Sequence, residues 1–99
     1  MVVLVRVCRV TGKDWSKMES ASRALIAHWS KSPQVRRVEA WSNIAGRQDE
    51  FRFLAQFDSL ADEEKFATSL WSDPGYEKVM TDFVEVFDIG EDQLYRTFE

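Results

Sequence analysis

The stretch EFRFLAQFDSLADEEKF, residues 50 to 66, changes its period half-way along. Up to Phe57 it alternates: Phe51, Phe53, Ala55 and Phe57 fall on one side, Arg52, Leu54 and Gln56 on the other. A two-residue repeat of this kind is a strand with one buried face. Beyond Asp58-Ser59 the apolar residues Leu60, Phe66, Ala67, Leu70 and Trp71 form a stripe at helical spacing. Ser59 is placed to cap that helix, and Asp62 lies near the unpaired N–H groups of its first turn. A strand that feeds a helix with no linker between them is the frame on which the rest can be placed.

Upstream, residues 35 to 44 read as a strand that pairs with 50 to 57 around Ala45-Gly46-Arg47-Gln48. Pairing Ile44 with Asp49 sets Ser42, Ala40 and Val38 opposite Phe51, Phe53 and Ala55, small residues against large ones. Trp41 then faces Arg52, which suits a cation–π contact. Residues 14 to 31 read as a helix capped by Asp14 and stopped at Ser32-Pro33, with Trp15, Met18, Ser22, Leu25, Ile26 and Trp29 on its apolar stripe. Residues 2 to 10 read as a Val-rich strand, with Val3, Val5 and Val7 on one face and Leu4, Arg6 and Cys8 on the other.

Downstream, SLWSDPGYEKVM (residues 69 to 80) breaks the helix and restarts it. Asp73 is a fresh N-cap, and Pro74 takes the first helical position, where its missing N–H costs nothing. Tyr76, Val79, Met80 and Phe83 form the second stripe. The break should bend the helical layer over the sheet and leave room beneath it. VEVFDI, residues 84 to 89, reads as the last strand; Gly90 interrupts it, and QLYRTF continues as an edge segment.

The order is β-α-β-β-α-β with a broken second helix, a ferredoxin-like α+β domain spanning residues 1 to 99. The helix-covered face is expected to carry Val3, Val5, Val7, Val38, Ala40, Phe51, Phe53 and Phe57. The opposite face would hold Leu4, Cys8, Trp41 and Leu54 beside Arg6, Arg37, Glu39, Arg52 and Gln56. That mixture is too apolar for a solvated face and too charged for a core. It suits a second copy of the chain, two sheets meeting face to face in a homodimer.

Composition narrows the partners. The 99 residues are 44% hydrophobic with four Trp and seven Phe, enough for one packed core. Net charge is −4 with the two signs interspersed, so no basic track exists for nucleic acid. An RNA-binding module of the same topology is further disfavoured by phenyl rings on the covered face. One Cys and one His cannot make an internal disulfide or the usual zinc site, and no metal or other cofactor is expected. No apolar run reaches the roughly 20 residues of a membrane span, and MVVLVRVCRV lacks the features of a signal peptide. A cytoplasmic location is the default.

With the element order, the EFRFLAQFDSLADEEKF stretch and WSDPGYEKV in place, the chain resembles the dimeric α+β barrel superfamily. It is similar to its antibiotic-biosynthesis-monooxygenase-like and NIPSNAP-like families over nearly its whole length. The resemblance implies a pocket between helices and sheet in each subunit. It also implies one of several activities, among them cofactor-independent oxygenation, isomerisation, cyclisation and haem degradation. Haem-degrading relatives place an axial His on the short helix after the break and an Asn on the first strand. Here those regions read YEKVMTDF, with Met80 near the expected place, and VVLVRVCRV; neither matches. The expectation is an enzyme acting without cofactor on a small apolar, aromatic or polyketide-like molecule. The alternative is a non-catalytic dimer that binds a hydrophobic metabolite or is purely structural.

Few side chains can carry chemistry. His28 is the only imidazole and sits on the flank of its helix, as a rim residue or as a base. Glu63 falls inside an apolar stripe, as a first-turn acid turned to water or as an acid–base group facing the pocket. Tyr76 is either an amphipathic core residue or a phenol that reaches a ligand. Trp29, Ser42, Phe53, Phe66 and Trp71 are the expected ligand-contacting walls and hydrogen-bonding group, although the aromatic ones serve equally as core. Ser22 can return a hydrogen bond to its own helix, Asn43 suits a turn, and Cys8 reads as a small buried hydrophobe. No hydrolase-like spacing of Ser, His and acid and no glycine-rich phosphate loop is present.

Overall fold

The computed structural model describes residues 1–12, 14–46 and 48–98, so Arg47 of the expected hairpin turn lies outside the described residues. The elements run β1 (Val2–Val10), α1 (Trp15–Ser30), β2 (Val35–Ser42), β3 (Glu50–Phe57), α2 (Leu60–Trp71), α3 (Pro74–Phe83) and β4 (Phe87–Arg96). The strands form one antiparallel sheet in the order β2-β3-β1-β4, the ferredoxin-like arrangement. Among the described residues no helix is long and apolar enough to cross a membrane.

Local chemistry sets the element boundaries as the sequence implies. Asp14 accepts the Lys17 N–H at 3.1 Å, Ser59 accepts that of Asp62 at 3.2 Å, and Asp73 accepts that of Gly75 at 2.9 Å. The hairpin register pairs Ser42 with Phe51, Ala40 with Phe53 and Val38 with Ala55, and sets Trp41 opposite Arg52. These two side chains turn elsewhere: Trp41 Nε1 donates to Glu39 at 3.0 Å and Arg52 Nε to Glu50 at 2.9 Å. Gly46 takes φ 77° at the bend, a left-handed conformation that favours glycine.

The first strand departs from expectation. Val2 pairs with Phe57, Leu4 with Ala55, Arg6 with Phe53 and Cys8 with Phe51, which puts the even-numbered residues under the helices. Val3, Val5 and Val7 face the other way. β1 lies between two strands and is apolar on both faces, so its alternation carries no directional signal. The expectation that Val3, Val5 and Val7 lie under the helices is therefore reversed, and Arg6 comes to the helix-covered side. The outer face therefore centres on valines: Val5 is 5% exposed and Leu54 7%, surrounded by Arg37, Glu39, Trp41 and Arg52.

Three smaller differences shape the interior. On α1 the buried residues are Met18, Ala21, Leu25 and Trp29, while Trp15 is exposed. The small Ala21 takes the core position expected of Ser22, whose hydroxyl donates to the Met18 carbonyl at 2.8 Å. On α2 only Phe66 is fully buried; Leu60 and Trp71 are exposed, because the helix stands away from the sheet. β4 begins at Phe87 rather than residue 84, and Gly90 does not end it. The register shifts between Val7 and Cys8, and a Cβ on Gly90 would lie 3.2 Å from the Val7 carbonyl oxygen, so the glycine forms a bulge within one ten-residue strand.

Ring contacts concentrate the core at two places. Phe53, Phe83 and Phe87 lie 4.7 to 5.6 Å apart between centroids at one end. Phe66 meets Phe57 at 5.2 Å and Trp29 at 5.8 Å nearer the middle. Each pair contributes about 0.5–1.5 kcal/mol beyond area burial. Over the β1–β4 half, between α2, α3 and the sheet, the layers are not filled.

Candidate functional site

The unfilled half is a cleft of about 980 Å³. Leu4 and Arg6 of β1 and Asp92 and Leu94 of β4 form its floor. Phe66 and Leu70 of α2 and Tyr76 and Met80 of α3 overhang it, and the fully buried Trp29 closes its inner side. The space exists because α2 ends at Trp71 and α3 restarts at Pro74, so the two halves of the helical layer take separate paths over the sheet.

Arg6 organises this cleft. Its Nε and Nη2 donate to the two carboxylate oxygens of Asp92 at 2.9 and 3.1 Å, the bidentate arrangement a guanidinium favours. Nη1 donates to the Tyr76 hydroxyl at 3.2 Å and approaches Met80 Sδ at 3.7 Å. The guanidinium carbon lies 5.2 Å from the centroid of the Trp29 ring, a cation–π contact. The Tyr76 ring leans on His28 at 5.4 Å, and His28 Nε2 meets the Asp73 carboxylate at 2.8 Å. The cap of α3, the imidazole, the phenol and the floor guanidinium thus form one continuous chain. Since the Tyr76 oxygen accepts from Arg6, its own proton is left to donate to a ligand.

The environment tunes the charges. Burial works against the Arg6 cation, but the hydrogen bond and charge of Asp92, together with Tyr76, outweigh it and hold the guanidinium above the ordinary Arg range. Partial burial, with Glu64 adjacent, raises the Glu63 carboxyl at the cleft wall, so it holds a proton more tightly than an exposed Glu. The Gly75 N–H, and secondarily His28, hold Asp73 below the usual carboxylate range. Burial pushes the Cys8 thiol up to about 12, which makes it a poor nucleophile. The Trp29 Nε1 hydrogen is buried and has no hydrogen-bond partner among the described residues.

Of the residues singled out by sequence, Glu63, Tyr76, Trp29, Phe66 and Trp71 line the cleft, and His28 supports it through Tyr76 and Asp73. Two fall elsewhere. Ser42 is exposed at the end of β2, and Phe53 is packed against Phe83 and Phe87 in the filled end of the core. Sequence reasoning missed Arg6 and Asp92 as site residues. A signal was present, an Arg at the middle of the most Val-rich strand with apolar neighbours on both sides, but the reversed facing of β1 hid it. Among the described residues no three His, Cys, Asp or Glu side chains come together in a group that could hold a metal ion.

No family model and no curated protein matches the chain. Solved structures do. SnoaB from Streptomyces nogalater, a cofactor-independent oxygenase, is 16% identical over 99% of this chain and 93% of its own, with a TM-score of 0.76. An uncharacterized NIPSNAP domain protein from Burkholderia xenovorans is 15% identical over 99% and 95%, with a TM-score of 0.80. A candidate antibiotic biosynthesis monooxygenase from Nitrosomonas europaea is 12% identical over the full length of both chains, with a TM-score of 0.76. The fold is that of antibiotic-biosynthesis-monooxygenase-like and NIPSNAP-like proteins. At these identities the likeness is one of fold, and side-chain chemistry must be argued from this chain's own residues.

Proposed function

We propose that the cleft binds a flat phenolic molecule and that the chain oxygenates it without a cofactor. The observation that carries this reading is Arg6. It is partly buried under the helices, fixed by Asp92 and directed at the Tyr76 hydroxyl on the cleft surface. A site this size, mostly apolar with a few convergent polar groups, is the usual form of a small-molecule pocket. Oxygenation of a phenol needs deprotonation of the substrate and stabilisation of the resulting anion. Glu63, whose proton affinity is raised by burial, serves as the base. Tyr76 donates to the phenolate oxygen while Arg6 holds the Tyr76 oxygen, and Trp29 and Phe66 form the walls. The phenolate passes one electron to dioxygen, and the phenoxyl radical and superoxide combine at a ring carbon. The peroxide anion so formed takes the proton back from Glu63, and the hydroperoxide then loses water together with the hydrogen of that ring carbon to leave a carbonyl. His28 is a positioning residue, since its Nε2 is taken by Asp73 and its ring braces Tyr76. The support from comparison is the cofactor-independent oxygenase among the chain's structural neighbours.

The test is dioxygen uptake with 1,8-dihydroxyanthrone, which should be consumed one-to-one with oxygen and yield the quinone. Glu63→Gln should slow turnover with little change in binding. Bound anthrone that is turned over no faster than in buffer would refute catalysis and leave the reading of a non-catalytic metabolite binder. We infer as well that the outer sheet face joins two copies of the chain. Val3, Val5, Val7 and Leu54 form an apolar centre rimmed by Arg37, Glu39, Trp41 and Arg52, the anatomy of an interface. Sedimentation at micromolar concentration should give twice the 11.5 kDa chain mass. A single 11.5 kDa species would overturn it.

A further inference from the structure

The chain has three methionines, in three different environments. Met1 is 43% exposed, and Met18 is 5% exposed in the core under α1. Met80 is half-buried on α3, one helical turn beyond Tyr76, and belongs to the cleft lining. Its Sδ receives Arg6 Nη1 at 3.7 Å, and the same nitrogen donates to the Tyr76 hydroxyl at 3.2 Å. A soft, polarizable thioether is thus held beside a fixed cation and a phenol whose own proton is left to donate. Sulfur has two lone pairs, so the Arg6 contact leaves one for reaction. The oxygenation proposed above makes no use of it.

We propose that Met80 is a modification site, oxidised to the sulfoxide by a hydroperoxide that enters the cleft. The Sδ lone pair attacks the terminal oxygen of the hydroperoxide; the S–O bond forms and the O–O bond breaks. The leaving alkoxide takes the proton of the transferred hydroxyl and departs as the alcohol, or as water when the oxidant is hydrogen peroxide. Sulfur loses two electrons and the peroxide gains them. Negative charge builds on the leaving oxygen in this step, next to the Arg6 cation and the Tyr76 O–H. The product is held as well, since a sulfoxide oxygen is a much stronger acceptor than a thioether sulfur and Arg6 Nη1 lies within its reach. Oxidation turns an apolar patch of the cleft wall polar, so affinity for apolar ligands falls, and reduction of the sulfoxide restores it. The proposed oxygenation forms a hydroperoxide in this same cleft, and on that reading Met80 meets its oxidant there. The modification itself requires only that a peroxide enters.

Added hydrogen peroxide tests this without any turnover. The unmodified protein is treated, samples are quenched with catalase, and peptide mass spectrometry follows each methionine. If exposure alone governed the reaction, Met1 would react before Met80. Expected instead is Met80 oxidation at least threefold faster than that of Met1, with Met18 unchanged. Tyr76→Phe, which removes the hydroxyl donor, should slow Met80 at least threefold and leave Met1 as it was; circular dichroism checks that the variant is folded. The dissociation constant for 1,8-dihydroxyanthraquinone, read by quenching of tryptophan fluorescence after the peroxide is removed, should rise at least threefold on treatment. It should return after incubation with methionine sulfoxide reductase, and in Met80→Leu the same treatment should leave it unchanged. Oxidation of Met80 no faster than that of Met1, or equally fast in Tyr76→Phe, overturns the proposal. So does a treated protein whose affinity for the quinone has not fallen. Only the affinity measurement rests on the reading of the cleft as a ligand site. The rate order needs no oxygenase activity, so a chain that oxidises Met80 selectively but never turns over an anthrone loses the proposed reaction and keeps this site.

Discussion

Asp92→Asn and Arg6→Met should have opposite consequences, although they cut the same ion pair. The Arg6 side chain is 12% exposed and that of Asp92 43%. Removing the carboxylate charge leaves a guanidinium under the helices with one neutral acceptor, the Tyr76 oxygen and a sulfur. Breaking a fully buried pair in this way costs about 3–5 kcal/mol; with Asp92 half in water and its amide still accepting one bond, about 2 kcal/mol is expected. For a domain of this size that lowers the melting temperature by roughly 10 °C. Arg6→Met removes the buried charge itself. The thioether fills part of the stem's volume against Trp29, and Asp92 turns to solvent, so the cost should stay below about 1 kcal/mol. The double variant should match Arg6→Met and not the sum of the two. Thermal unfolding by circular dichroism reads all four corners of the cycle, and binding of 1,8-dihydroxyanthraquinone reads the site. Both single variants should weaken binding, since each dismantles the support of Tyr76. If Asp92→Asn is as stable as the unmodified protein while Arg6→Met is strongly destabilised, Arg6 acts as an apolar pillar and not as a charge, and the argument built on it fails.

Tyr76→Phe removes one hydroxyl; stability should fall by about 1 kcal/mol through the lost Arg6 bond, while ligand binding weakens several-fold, and a loss above about 2 kcal/mol with unchanged binding would make Tyr76 structural. Glu63 has a raised carboxyl in the folded state, so its contribution to folding is present below the unfolded value near pH 4.3 and lost as pH rises through the folded value. Glu63→Gln should therefore be neutral to slightly stabilising at pH 7 in chemical denaturation, and flatten the stability profile in the weakly acidic range. Cys8, fully buried with its thiol pushed up to about 12, should react with a disulfide reagent only as fast as the domain unfolds. Labelling of native protein at the rate of a free thiol would contradict its burial.

Features that depend only on neighbours along the chain could be read before any contact was known. Helix caps at Asp14, Ser59 and Asp73 need a side chain within three residues of an N–H, so they were legible. The hairpin register was legible because Phe51, Phe53 and Phe57 mark one face without ambiguity and the turn fixes what lies opposite. From these followed the element order, the fold and the place of the helix break. Facing was a different matter wherever both sides of an element are apolar. β1 carries Val, Leu or Cys at most positions of both faces and one Arg on each, and only its pairing to β3 and β4 tells which residues the helices cover. That single choice decided whether Arg6 belongs to an outer surface or to the centre of the cleft. The partner that makes its burial tolerable, Asp92, is 86 residues away, and no local pattern joins the two. The same holds for His28, which reads as a rim residue until Asp73 and Tyr76 are brought beside it. Phe53 and Trp29 are indistinguishable as apolar aromatics in sequence; tertiary packing filled the sheet under one and left space beside the other, because α2 and α3 diverge at Asp73-Pro74.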